Sequence, residues 1–362
     1  MMRETEPSDR RDDHAFVREV TARINQSSPD GAAELLSGLV EQLREEAVFS
    51  LMERLPPVRD LDYAPHRIQL LVSSPEIRLR LVSVEKEPFT VEWIERSIRA
   101  GDVFYDIGAN VGAYSLIAAK ATNNGARIFA FEPMAASFHD LFRNILLNDC
   151  STSVIPLPIA LWSDNGTLTL TTDSRVAGAA RHRISPKPPV EADAKTTVVG
   201  VRLDDLVERF GLPAPTHAKI DTDGYELEVL RGAERTLTRP EWRSIIVEFD
   251  RGETPRNQAI KTLLVDAGFD AGHQHERLAS PSFPHPEGRP DVYWTFARLP
   301  THGLSRVSRP ARPRSDGSRP MPFRAARVRA AAATVLVVSF LFLIFAALPE
   351  ALGDRPYNVF GH

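Results

Sequence analysis

The chain has one cysteine, Cys150. A single thiol excludes an intramolecular disulfide and any zinc site built on cysteine pairs. It reads as a small buried hydrophobe. Large net charge is also missing: −4 at pH 7 over 362 residues gives no reason to expect a nucleic-acid partner. No internal repeat is visible, which sets aside solenoids and propellers. The first 13 residues are crowded with Arg, Asp and Glu and hold no apolar run, so no secretory signal peptide is expected. His273, His275 and His285 lie on a Pro-rich stretch without ligand spacing. They read as solvated loop histidines, and no metal site is expected.

What is there suits a packed core: 43% hydrophobic and 25% charged residues. Residues 1–66 read as a polar start followed by a helical region. Phe16, Val20 and Ile24, then Leu35, Leu36, Leu39, Val40 and Leu43, recur at helical spacing until Pro56-Pro57. Apolar runs at 68–72 and 77–82 predict a hairpin over Ser73-Ser74-Pro75. A helix over 89–98 follows.

From residue 101 strands and helices alternate. Strands are expected at 103–107, 127–131, 154–157, 217–220, 244–249 and 291–297. Helices are expected at 113–121, 135–147, 203–210, 226–237 and 257–267. In the helix over 135–147, Phe138, Leu141, Phe142, Ile145 and Leu146 would face inward. Alternation of this kind predicts an α/β domain over 67–297, a parallel sheet covered by helices on both faces. Strands at 168–171 and 196–201 flank a loop, 173–193, too long for a plain turn and readable as an active-site cover.

The C-terminal part differs. Residues 298–329 carry nine Arg and five Pro against one acid, Asp316, and read as a basic linker. Residues 330–348 are nineteen in a row without charge, just long enough to span about 30 Å of hydrocarbon. This predicts a single transmembrane helix, with the Arg excess holding the catalytic domain on the cytoplasmic side and 349–362 as a short tail.

The chemistry gathers at three places. In Asp106-Ile-Gly108-Ala-Asn110-Val-Gly112 a strand ends in a Gly-bearing turn that opens a helix, as an adenosine-type ligand requires. Glu132 follows the next strand, where a carboxylate can accept both ribose hydroxyls. Asp221 and Asp223, in Lys219-Ile-Asp221-Thr-Asp223-Gly224-Tyr-Glu226, end a third strand. A dinucleotide and an adenosyl sulfonium both remain open on this pattern. Asn110 in place of a middle glycine, and Tyr114 after Gly112, tilt it away from pyrophosphate.

These segments resemble the FkbM family of methyltransferases. So do Val229-Leu230-Arg-Gly232-Ala233, Glu85-Lys86-Glu87-Pro88 with Trp93, and Val247-Glu248-Phe249. The resemblance covers roughly 80–297. It implies a class I Rossmann-like fold of seven strands, the last antiparallel. It also implies S-adenosyl-L-methionine as cofactor and methyl transfer to a hydroxyl oxygen. Asp223 stands where Glu is commoner in the family motif. The expected cofactor residues are Asp106, Gly108, Asn110, Gly112 and Glu132. Asp221 is the first candidate for the catalytic base, Asp223 the second and His217 a distant third. The expected acceptor is a small molecule, glycan or glycolipid reached from the membrane. The competing readings are a nucleotide-sugar or NAD-dependent oxidoreductase on the same fold, and a non-catalytic membrane-tethered adapter.

Overall fold

The computed structural model describes residues 19, 22–41, 57–171, 183–185, 195–276 and 292–299. The chain divides into two compact units, Met1–Pro57 and Val58–His362. In the first, helix α1 (Pro29–Val40) starts where sequence chemistry favours it. Ser28 Oγ accepts the Gly31 N–H at 3.2 Å, and Pro29 sits in the first turn, where no N–H is needed. The rest of the expected helical region, apart from 19, 22–28 and 41, lies outside the described residues.

The second unit is built on a seven-stranded sheet. Its strands are β3 (Val103–Ile107), β4 (Arg127–Phe131), β5 (Val154–Leu157), β10 (His217–Ile220), β11 (Ser244–Phe249), β12 (His273–Glu276) and β13 (Val292–Ala297). Their order is β12-β13-β11-β10-β3-β4-β5. The five from β11 to β5 run parallel, and β13 inserts antiparallel between β11 and β12. This is the seven-stranded α/β sheet expected. Its strands read as continuous apolar runs because both faces are covered. Phe104, Ile128 and Ala130 pack on one side with Ile94 of α3 (Pro88–Ser97), Leu116 of α4 (Ala113–Ala121) and Leu141 of α5 (Ala135–Leu147). Tyr105, Ile107, Phe129 and Phe131 pack on the other side. There they meet Leu206 of α6 (Leu203–Glu208), Val229 of α7 (Glu226–Arg231), Leu237 of α8 (Glu234–Leu237) and Ile260 of α9 (Pro255–Asp266).

Between β5 and α6 the chain builds a second sheet that the sequence pattern did not suggest as a unit. β6 (Ala160–Leu161), β9 (Lys195–Val201), β7 (Gly166–Thr171) and β8 (Arg183–Ser185) pair in that order. Met134, Trp162, Leu168, Leu170 and Val198 form its separate core. Apart from β8, the expected cover loop lies outside the described residues.

Several local expectations are corrected. No hairpin forms over Ser73 and Ser74. β2 (Gln69–Leu71) pairs with β1 (Val58–Asp60), and Pro75–Leu79 is a 3-10 turn. The N–H groups of Gln69 and Leu71 go to Asn148 and Asn144, at 2.8 and 2.9 Å, so that side of β2 needs no second strand. The same two asparagines take an inward face of α5. Phe142 and Leu146 are left 48% and 52% exposed, while Leu141 and Ile145 are buried. The single helix expected over 226–237 is two. Asp204 accepts the Thr236 N–H at 2.7 Å and caps a fresh start at α8. The span expected over 330–348, and with it the single-pass placement with a cytoplasmic catalytic domain, is corrected too. Among the described residues no helix is long and apolar enough to cross a membrane. The longest, α5, has 13 residues and rises about 20 Å against about 30 Å of hydrocarbon. Residues 330–348 themselves lie outside the described residues.

Gly232, between α7 and α8, packs on the backbone just after β6. A Cβ there would sit 2.0 Å from the Trp162 carbonyl oxygen, a backbone atom that cannot swing aside. Gly232→Ala is therefore expected to lower unfolding stability by about 2 kcal/mol or more, read as a lower urea midpoint with unchanged slope.

Candidate active site

Asp106, Glu132 and Asp221 come from three neighbouring parallel strands, β3, β4 and β10, and all lie at their carboxyl ends. Parallel register sets Asp106 beside Lys219 and beside Ala130. Glu132 follows β4 directly, and Asp221 follows β10. Open α/β sheets place ligands at this edge.

Two glycines set the approach. Gly108 has φ +82°, and a Cβ on it would fall 1.8 Å from the Asp221 carbonyl oxygen. The turn after β3 therefore rests directly on the backbone after β10, which only glycine permits. At Gly112, φ +91°, a Cβ would fall 2.6 Å from the Leu141 side chain. Asn110 and Asp223 also take left-handed backbone, φ 52° and 55°, a region that Asn and Asp tolerate better than most residues.

The amides of this turn are all engaged. Gly108 and Ala109 donate to the Phe131 carbonyl at 3.0 Å, and Gly112 donates to Ala109 at 2.9 Å. Asn110 donates to Glu132 Oε2 at 2.9 Å, and Val111 donates to Asn110 Oδ1 at 2.9 Å. Glu132 Oε1 accepts the Met134 N–H at 2.8 Å. Burial pushes the Glu132 carboxyl up to about 7, although the Met134 and Asn110 amides pull the other way.

Behind this lies a buried charge network. Lys219, 1% exposed, places Nζ 2.6 Å from Asp221 Oδ2 and 4.8 Å from the centre of the Tyr114 ring. Glu87, fully buried, meets Lys86 Nζ at 2.6 Å. The Tyr293 hydroxyl lies 3.3 Å from both Glu87 Oε1 and Asp221 Oδ2, joining the two pairs. Burial works against the charge on Asp221, yet Lys219 and Lys86 hold its carboxyl well below the usual range. Glu87 is lowered likewise, against burial, by Lys86 and Lys219. Asp106 is raised by burial, with Lys219 and the Ser115 hydroxyl opposing. Glu248, at the end of β11 and in register with Tyr293, is pushed well up by burial and by the Asp221 charge. The turn itself is tied by Glu226, whose Oε1 accepts from the Thr222 and Gly224 amides at 2.8 and 3.2 Å while Oε2 takes Arg256.

A cavity opens over these groups. Gly108, Asn110, Glu132, Asp221, Asp223 and Glu248 line it, with Lys86, Arg80 and Tyr293. Trp162, Leu170 and Ile184 of the second sheet form an apolar wall, joined by Tyr225, whose ring lies 5.4 Å from that of Trp162. Asp106 and Gly112 stand behind the lining. Asp106 is wholly buried.

His217 is not brought here. It begins β10, about 13 Å up the strand from Asp221. Its Nδ1 lies 2.8 Å from Ser244 Oγ, and burial lowers its pKa to about 4. Nor is His275 a loop residue. It lies on β12, stacks on Phe89 at 5.2 Å, and places Nε2 2.9 Å from Thr295 Oγ1. His285 lies outside the described residues. Lys86, Glu87, Glu248, Tyr293 and Trp162 had no role in the sequence reading. The first three fell inside family-like segments, whereas nothing local marks Tyr293 or Trp162.

Comparison with known proteins finds methyltransferases. The Methyltransferase FkbM domain matches residues 106–272. The hexuronic acid methyltransferase AglP of Haloferax volcanii is 29% identical over 196 residues, 54% of this chain and 75% of that protein. Methyltransferase sdnD of Sordaria araneosa is 29% identical over 229 residues, 55% of this chain and 86% of that protein. A solved methyltransferase FkbM from Methylobacillus flagellatus aligns with TM-score 0.35 at 14% identity, over 54% of this chain and 44% of that one.

Removing Lys219 tests the network. Lys219→Met is expected to cost about 3–5 kcal/mol at pH 8, because Asp221 and Glu87 lose the ammonium that holds them ionised. Without it their pKa values rise above the unfolded ones. Proton uptake then favours the folded variant, and the loss should shrink between pH 8 and pH 5. Urea unfolding across that range reads the effect. Residues 106–272, on a seven-stranded sheet whose acids converge at one edge, thus match the Methyltransferase FkbM domain.

Proposed function

We propose that the protein is an S-adenosyl-L-methionine-dependent O-methyltransferase acting on a hydroxyl of a sugar or related small molecule. Glu132 carries the reading. It is a buried carboxylate at the end of β4, beside a turn whose amides are all bonded within the protein. A dinucleotide needs free amides at that turn for its pyrophosphate. An adenosyl sulfonium needs only the carboxylate for its ribose and an acid-rich surround for its cation. Glu132, Asp221 and Asp223 along the cavity suit that charge. This weighs against the oxidoreductase alternative. An adapter would have no use for a cavity that gathers these acids.

Bound there, the cofactor would supply a methyl group on an activated carbon. The protein's own part is positioning. Glu132 and Asn110 hold the nucleoside end, with Gly108 giving the close approach and Gly112 and Asp106 supporting the turn from behind. Trp162, Leu170 and Ile184 present an apolar wall to the acceptor's C–H face and exclude water. Asp221 receives the acceptor's proton, with Asp223 beside it on the same rim. The curated relative named for a hexuronic acid makes sugar acids the first acceptors to try.

The reading is tested by isothermal titration with S-adenosyl-L-methionine and, separately, NAD. The sulfonium cofactor should bind, and Glu132→Ala should weaken it by about tenfold or more. Retention of NAD alone would overturn the reading. Ribose hydroxyls donate to the ionised form of Glu132. Affinity for S-adenosylhomocysteine should therefore fall about tenfold as pH drops from 8 to 6, through the Glu132 value of about 7. Glu132→Gln should flatten that dependence.

A further inference from the structure

We propose that Asp221 and Glu248 act as one proton-sharing pair, which gives up its proton when a sulfonium enters the cavity and regains one from the acceptor hydroxyl. The proposal rests on the methyl-donor reading above. It begins from strand register: Ile220 pairs with Val247, so the next residues, Asp221 and Glu248, end neighbouring parallel strands and line one cavity. Two ionised carboxylates side by side in a buried site repel each other, so the pair holds a proton. Its place is set by what else touches Asp221. Lys219 Nζ lies 2.6 Å from Asp221 Oδ2, and the Tyr293 hydroxyl approaches the same oxygen at 3.3 Å. Both are donors, so Asp221 carries the charge and Glu248 the proton.

The surroundings keep it there. Burial, then the charges of Asp221, Glu226 and Asp223, push the Glu248 carboxyl up. On the far side of Asp221 the two ammoniums, Lys86 and Lys219, are already matched by Glu87 and Asp221. Asp106 lies behind Lys219 on β3, and Arg256 is engaged by Glu226 and Asp250. Arg80 also lines the cavity, and its charge bears on Glu132. A sulfonium in the cavity would compensate an ionised Glu248. Asp221 and Glu248 line the same cavity as Glu132, so a cation bound there bears on the pair directly.

The step balances. The acceptor's O–H bond breaks, its oxygen bonds to the methyl carbon, and the C–S bond breaks with its electron pair left on sulfur. The thioether that results is neutral. The hydroxyl proton goes to the pair and restores the one shed on cofactor entry. Glu248 thus lets Asp221 serve as an acceptor even though Lys219 makes it a weak base on its own.

The test is proton counting with the full-length protein. Titrations with S-adenosylmethionine and with S-adenosylhomocysteine are run at about pH 7.5 in buffers of different ionisation enthalpy. Both ligands carry the ribose, so the contribution of Glu132 cancels. The sulfonium should release about one more proton than the thioether. Glu248→Gln still offers Asp221 an N–H but has no proton to shed, and should abolish the difference. Equal release from both ligands in the wild type, or a difference that survives Glu248→Gln, would overturn the pair. Should that variant not fold, the wild type decides. The ratio of the two dissociation constants should change about tenfold per pH unit below the pair's titration, and a flat ratio overturns the proposal. Absence of any sulfonium binding overturns the cofactor reading along with it, whereas binding without the extra proton overturns only the pair.

Discussion

A lysine ammonium buried at the centre of a parallel sheet is the constraint on which this site depends. Lys219 is 1% exposed. An unpaired charge there would cost several kcal/mol, so the fold must bring it anions. It brings them from separate parts of the chain. Asp106 arrives across the parallel register of β3, Asp221 from the end of the lysine's own strand, and Glu87 from the segment before α3. Tyr293, reaching in on the antiparallel β13, links Glu87 to Asp221. The strand order is thus also a charge arrangement. Of the acids lining the cavity, Asp221 is held in place by its part in neutralising this cation, whereas Glu132 is held by the amides of Asn110 and Met134.

Close backbone packing turns this balance into a shaped cavity. Gly108 lets the turn after β3 rest on the Asp221 carbonyl, and Glu226 gathers the amides of the following turn. Gly232 packs on the Trp162 backbone just after β6, and the second sheet puts an aromatic and aliphatic wall opposite the charged floor. One wall suits apolar C–H surface and the other suits hydroxyls. That combination fits a sugar ring better than a purely apolar acceptor.

Much of this was legible in the sequence where the physics is local. The buried strands of the sheet read as short apolar runs, and the bounds of β3, β4, β5, β10 and β11 agree with the pattern. Glu132 and Asp221 sit directly after their strands, and Asp106 lies near the end of its own. What was not legible depends on partners distant in sequence. The break at Gly232 answers to Trp162 and Asp204, and the lost hairpin answers to Asn144 and Asn148. Glu248 fell inside a family-like segment with no role given to it, and nothing local marked Tyr293. Only the β11–β13 register makes them neighbours of each other and of the site. The histidines of β12 misled because, among the described residues, their strand pairs only with β13, further along the chain.

The central claim is that this cavity moves a methyl group from a sulfonium onto a sugar oxygen. Incubation with S-adenosyl-L-[methyl-³H]methionine and a panel of hexuronosides and neutral glycosides tests it most directly. The account predicts label in the glycoside that withstands mild alkali, as an ether does. Label released by alkali would mean that a carboxylate is methylated instead, and no transfer to any glycoside by a folded, cofactor-binding protein would contradict the sugar-hydroxyl assignment.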